Sequence, residues 1–214
     1  MYHITQTDLD FEQLLKTKLD ELRKQFENNL MIQESTLELL YKGVIHSDLN
    51  NFKNNKLIWN ASCYVNIISY DLKVIGKNLM ISRTEWEKRY FARQAGLLIY
   101  ESNNDLFNLF GKEFRTAILG LSDYEVFKNE LKGITKKLNL YKDTNKGKLH
   151  RIRNVSIAHR DQDSIEQLST ILSISWVEAI NFVSEFDQIL NLTGRFLQDV
   201  MNKSVVEFEE LNDK

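Results

Sequence analysis

Apolar side chains recur along most of the chain at alternating spacings of four and three, the signature of amphipathic helices. The most regular run follows Leu57: Ala61, Val65, Ile68, Leu72, Ile75 and Leu79 make one narrow seam, which predicts a core helix. Before it, Leu15, Leu19, Leu22 and Phe26 predict a helix from Asp8 to about Leu30, and Leu37, Leu40, Tyr41 and Val44 a second, shorter one. The Asn-rich stretch Asn50–Asn55 reads as a loop, because asparagine side chains compete for backbone hydrogen bonds.

Three Ser/Asp-x-x-Glu signatures resemble capping boxes, in which side chains satisfy the orphan amides of a helix start. Ser82–Glu85 predicts a helix through Trp86, Tyr90, Leu97 and Tyr100, with Trp86, Tyr90, Phe91 and Tyr100 expected in core packing rather than stacking bases. Asn103–Asp105 is expected to punctuate that helix before Leu106, Phe110, Phe114, Ala117 and Leu121 resume the pattern. Ser122–Glu125 opens a helix carrying Tyr124, Phe127, Leu131, Ile134, Leu138 and Tyr141, followed by a loop at Thr144–Gly147. Asp163–Glu166 leads into a long helix with Leu168, Leu172, Ser175, Ala179, Phe182, Phe186 and Ile189, which Gly194 ends or bends. No period-two strand pattern and no internal repeat occurs. The expectation is an all-α bundle: one helical domain over 1–202 and an acidic tail over 203–214.

Composition narrows the function. The chain has no proline and 8 glycines, and no Gly-rich phosphate loop. Its lone cysteine, Cys63, cannot form an internal disulfide and reads as a small core residue. No Cys/His set has metal-ligand spacing, so neither metal nor cofactor is expected. The start, Met-Tyr-His-Ile-Thr-Gln-Thr-Asp, lacks the basic and apolar blocks of a signal peptide, and no apolar run approaches the roughly 18 residues of a membrane span. A cytoplasmic, soluble protein is the expectation. The net charge of -2 conceals two opposed blocks. From Leu131 to Arg160 nine Lys and Arg residues face a single acid, Asp143, for a local net of +8, and from Asp161 onward the balance is -8. A basic block is either a solvated helix face or a surface for a phosphate-rich ligand.

The block ends in Lys148-Leu-His-Arg-Ile-Arg-Asn-Val-Ser-Ile-Ala-His-Arg160. Arg153, Asn154 and His159 are the residue types needed to cut a phosphodiester without metal. RNA supplies its own nucleophile, the 2′-hydroxyl; the protein supplies a proton carrier and a cation for the charge that develops on phosphorus oxygens. Histidine, with an unperturbed pKa of about 6.5, suits the first task. Arginine suits the second through its always-charged fork. Asn154 is placed to hydrogen-bond phosphate or orient a neighbour. On an ideal helix six residues turn about 240° and rise about 9 Å. Arg153 and His159 would not share a face, and one chain would build half a site that a two-fold partner completes.

The segment Ile-Arg-Asn-Val-Ser-Ile-Ala-His resembles the Arg-x(4–6)-His motif of the HEPN superfamily, within an all-helical context that is also HEPN-like. The resemblance implies a HEPN-like helical bundle with additional long helices, and a homodimer with two motifs in a composite cleft. It further implies a metal-independent endoribonuclease of the kind used as toxin–antitoxin or antiphage-defence effectors. Arg153 and His159 would be catalytic, Asn154 supporting, and Lys148, His150, Arg151 and Arg160 candidate RNA contacts. Glu101, Asn104 or Asp105 are candidates to complete the cleft from another helix, against a plainer role in ending theirs. A cognate antitoxin or a nucleotidyltransferase would be the partner. The competing expectation is a non-catalytic helical interaction or nucleotide-binding module, a HEPN-like adaptor in which Arg153 and His159 are structural. The acidic C-terminal region lies outside the motif.

Overall fold

The helix with the most regular apolar seam runs unbroken from Lys53 to Ile81. In the computed structural model, which describes residues 6–154 and 164–210, it is the second of seven α-helices. They are α1 (Gln6–Leu49), α2 (Lys53–Ile81), α3 (Glu85–Leu109), α4 (Lys112–Ile118), α5 (Tyr124–Arg153), α6 (Ser164–Leu172) and α7 (Trp176–Glu210). There is no strand among the described residues, so the protein is all-α. No described helix is long and apolar enough to cross a membrane.

Helices α2, α3, α5 and α7 pack around a ring, each against the next, with α7 closing back onto α2. The contacts fix their directions. Tyr64 of α2 bonds Asp105 near the far end of α3. Ile152 of α5 abuts Gly96 of α3 while Lys142 lies over Phe107. Phe127 and Tyr141 of α5 meet Phe196 and Phe186 of α7, and Lys73 of α2 pairs with Asp187 of α7. Neighbours are therefore antiparallel throughout, an up-down-up-down four-helix bundle. Helix α1 lies against α2, and α4 closes one end with an aromatic cluster of Phe110, Phe114, Phe127 and Phe196.

The bundle is filled by the predicted seams: Ala61, Val65, Ile68, Leu72 and Leu79 of α2, Leu131, Ile134 and Leu138 of α5, and Ala179, Phe182 and Phe186 of α7 are all buried. Cys63 is partly buried, which pushes its thiol pKa up.

Several expected breaks are absent. Helix α1 is continuous where two helices were expected. Helix α3 runs through Asn103–Asp105: Asn103 is buried, Asn104 Nδ2 donates to the Tyr100 carbonyl at 2.9 Å, and Asp105 accepts from Tyr64 at 2.7 Å. Helix α5 passes through Thr144–Gly147, where Thr144 and Asn145 bond carbonyls one turn back. Conversely, the last predicted helix is interrupted between α6 and α7. There Ser175 accepts the Glu178 amide at 3.2 Å and so restarts the helix. Gly194 interrupts nothing, and the acidic segment expected from Lys203 begins inside α7.

The capping predictions shift as well. Helix α3 is capped by Thr84 and Glu87 rather than by Ser82 and Glu85: Thr84 Oγ1 accepts the Glu87 amide at 3.2 Å and Glu87 accepts the Thr84 amide at 3.1 Å. The Thr84 and Arg83 amides hold the Glu87 carboxyl below the usual glutamate range. Its contribution is complete above the ordinary glutamate pKa and is lost as pH falls through the lowered value. Thr84→Ala is expected to cost about 1 kcal/mol, read from the urea midpoint; an unchanged midpoint would mean the cap carries no weight. At α5 no box forms; Ser122 instead donates its amide to Glu207 of α7 at 2.8 Å.

The buried face of α3 is also rotated from expectation. Trp86 and Tyr90 are exposed, while Lys88, Arg89, Ala92, Ala95, Gly96 and Ile99 face inward. Lys88 Nζ lies 3.3 Å from both Glu12 and Glu85 and 4.2 Å from the Trp176 ring centre. Arg89 pairs with Glu85 at 3.0 Å. Buried cations persist because each meets a carboxylate.

Candidate functional site

The last turn of α5 carries the basic motif to the end of the bundle where α7 begins. Ile152, on the buried face, seats that turn against Gly96 of α3: a Cβ at Gly96 would lie 3.0 Å from Ile152 Cγ2. Arg153, the next residue, is thereby directed along α3. Its Nε donates to Glu101 Oε1 at 2.6 Å, its guanidinium carbon lies 5.2 Å from the Tyr100 ring centre, and its Nη1 donates to Asn154 Oδ1 at 3.1 Å. The Asn154 amide in turn lies 3.0 Å from His150 Nε2, and the His150 ring is 6.1 Å from that of Tyr100.

The arginine is held on three sides. The hydrogen bond to Glu101 raises its pKa against partial desolvation, with the carboxylate's charge adding to it, so the guanidinium stays cationic. Nη2 and the second Nη1 proton have no partner among the described residues. Arg153 and Glu101 both keep part of their side-chain surface in solvent. A fixed, charged fork with open donors at the surface is an anion-binding element suited to a phosphodiester.

Of the predicted residues, the fold brings together Arg153, Asn154 and His150. Arg151 is exposed on the neighbouring face of α5. Lys148 forms an exposed ion pair with Glu178 of α7, which engages one of the cations expected for RNA. His159 and Arg160 lie outside the described residues. Glu101 is joined to the motif from within α3 rather than ending that helix, whereas Asn104 and Asp105 are engaged elsewhere. Tyr100 was expected in the core; it is half-buried, with its ring turned to Arg153 and His150. Among the described residues no group of three or more His, Cys, Asp or Glu side chains is placed to hold a metal ion.

Gly96 gives this arrangement a direct test. Gly96→Val would press on Ile152, and overpacking of this kind costs about 1–3 kcal/mol. A lower melting temperature is expected, together with a change in the environment of Arg153 visible in its side-chain NMR signal. An unaltered signal would mean that Ile152 does not seat the arginine.

Together these features define an all-α four-helix bundle with an arginine–carboxylate–aromatic cluster at one end. Comparison with protein-family models, curated proteins and solved structures finds no match to this chain.

Proposed function

We propose that this chain is a metal-independent endoribonuclease of the HEPN type, working in toxin–antitoxin or antiphage defence as a homodimer. The observation that carries the reading is the Arg153 fork, held by Glu101 and Tyr100 with open donors, at the tip of the basic helix. It is the electrophilic half of a phosphodiester-cleaving site. The 2′-hydroxyl attacks the adjacent phosphorus: the 2′-O–P bond forms as the P–O5′ bond breaks, leaving a 2′,3′-cyclic phosphate and a 5′-hydroxyl. Arg153 stabilises charge on the non-bridging oxygens. His159 moves the protons, removing one from the 2′-hydroxyl or supplying one to the leaving oxygen. A second copy contributes the complementary role across a composite cleft, and an antitoxin or nucleotidyltransferase partner restrains the activity.

The test is cleavage of total RNA in EDTA by wild type, Arg153→Ala and His159→Ala. Loss in both variants, with helicity and dimerisation intact, supports the reading; equal cleavage by all three overturns it.

A second reading draws on the same contact. The Arg153–Glu101 pair joins α5 to α3, as it would in a non-catalytic helical adaptor that contacts a partner or binds a nucleotide. In that case wild type and His159→Ala are equally inert towards RNA and equally active in cells.

A further inference from the structure

A second feature of the basic helix lies away from Arg153. Between α5 and α7 is an open groove of about 560 Å³, within the size range of small-ligand sites. Leu140, Ile189 and Leu192 contribute apolar surface, and Leu140 is 68% exposed, a large side chain left in water on a helix otherwise rich in lysine. Tyr141 closes the groove on the core side. Its hydroxyl donates to the Phe182 carbonyl at 2.9 Å and burial drives its pKa far up, so it is a fixed neutral wall.

Lys137 of α5 and Arg195 of α7 both line this groove, and neither forms an ion pair among the described residues. Arg195 stands out on an acidic helix, because Lys203, the other described cation there, is spent on Asp123 and Glu207. Side chains lean toward the N-terminus of their helix. In antiparallel α5 and α7, with Tyr141 level with Phe182 and Phe186 and Phe127 level with Phe196, Lys137 and Arg195 stand on facing helices about 10–13 Å apart along the groove, a gap two long side chains leaning this way can span. The one acid in the lining, Glu185, precedes Arg195 by ten residues, about 15 Å along the helix, and stands nearer the level of Lys137 and Tyr141. Two cations without an ion pair, an apolar floor, and the amide of Gln188 on the wall match the parts of a nucleotide.

We propose that the α5–α7 groove is a nucleoside-phosphate subsite, with the phosphate between Lys137 and Arg195 and the base on Leu140, Ile189 and Leu192. Lys137 lies 16 residues before Arg153, about 24 Å along α5. A mononucleotide cannot span that distance, whereas a single RNA strand running along the exposed lysines of α5 spans it. The ligand is either a free nucleotide or one nucleotide of such a strand. Binding here is independent of cleavage, so its test stands apart from that of the ribonuclease reading.

The experiment titrates the full chain with two probes at fixed salt: AMP, and a labelled 2′-O-methyl RNA of about 12 nucleotides, which has no free 2′-hydroxyl to react. Lys137→Gln/Arg195→Gln is compared with Lys18→Gln/Lys24→Gln, a double variant that removes the same charge from exposed positions of α1, away from α5 and the groove. The groove variant is expected to weaken binding about tenfold or more, because charge-assisted phosphate contacts are lost. The control is expected to stay within about threefold, the effect of diffuse screened charge. Selective loss of AMP binding identifies a free-nucleotide site; selective loss with the oligomer alone identifies a stop on the strand's path. Equal weakening by both double variants, no weakening by the groove variant, or no binding of either probe overturns the proposal.

Discussion

Replacing Arg153 with alanine is expected to lower RNA cleavage by about a hundredfold or more, the usual loss when one preorganised donor to a developing oxyanion is removed. The effect should appear in single-turnover rate rather than in RNA affinity, since non-specific affinity for a phosphate backbone is spread over many Lys and Arg contacts, of which Arg153 would supply one. Arg153→Lys should recover the charge but not the fork, because an ammonium cannot bond Glu101 and phosphate in one plane. Glu101→Gln separates positioning from chemistry. The guanidinium remains charged, but the 2.6 Å bond at Nε passes from a carboxylate to a weaker, neutral amide acceptor; a reduced rate constant with unchanged RNA affinity is expected. All variants are compared in EDTA, with helicity checked by circular dichroism. Arg153→Ala cleaving within twofold of wild type would reduce the arginine to a tie between helices.

Phe186→Ala is expected to be the most damaging single core substitution. Phe186 has no solvent-exposed surface, and its ring lies 5.3 Å from that of Tyr141 across the α5–α7 interface. Emptying such a site costs about 3–5 kcal/mol, the lost transfer energy plus a cavity that the neighbours only partly fill. That is a large share of the roughly 5–15 kcal/mol that holds a domain folded. A urea titration should show the midpoint falling steeply with little change in slope. A loss under about 1 kcal/mol would be incompatible with this packing.

The parts of the fold legible in the sequence are those where large apolar residues alone define the buried stripe. Val65, Ile68 and Leu72 on α2, or Leu131, Ile134 and Leu138 on α5, leave no other face to bury. Helix α3 obscured its orientation because its inward face mixes Ala92, Ala95 and Gly96 with the paired cations Lys88 and Arg89. Small residues permit close helix approach, and a buried lysine is recognisable only once Glu12, Glu85 and Trp176 surround it. The false breaks have a common cause. Asn104, Thr144 and Asn145 favour turns in isolation, yet the burial of Ile99, Ser102 and Leu106 on α3, and of Leu138, Tyr141 and Leu149 on α5, carries each helix through. At the site, Arg153 and Asn154 were readable as a pair because they are adjacent. Glu101 acquires its role only from the register of α3 against α5, which Gly96 and Ile152 set over 56 residues of sequence separation.

Helix α1 has 44 residues, yet only Leu15, Gln33, Leu40 and Ser47 are buried among its described side chains, against ten buried positions on the 29-residue α2. So shallow a seam leaves most α1 amides on a surface that can lift away while the four-helix ring stays closed. The free energy of opening is therefore graded across the molecule, lower for α1 than for the helices of the ring. Amide protons of α1 should exchange with solvent through partial opening, and those around Leu72 only when the whole bundle comes apart.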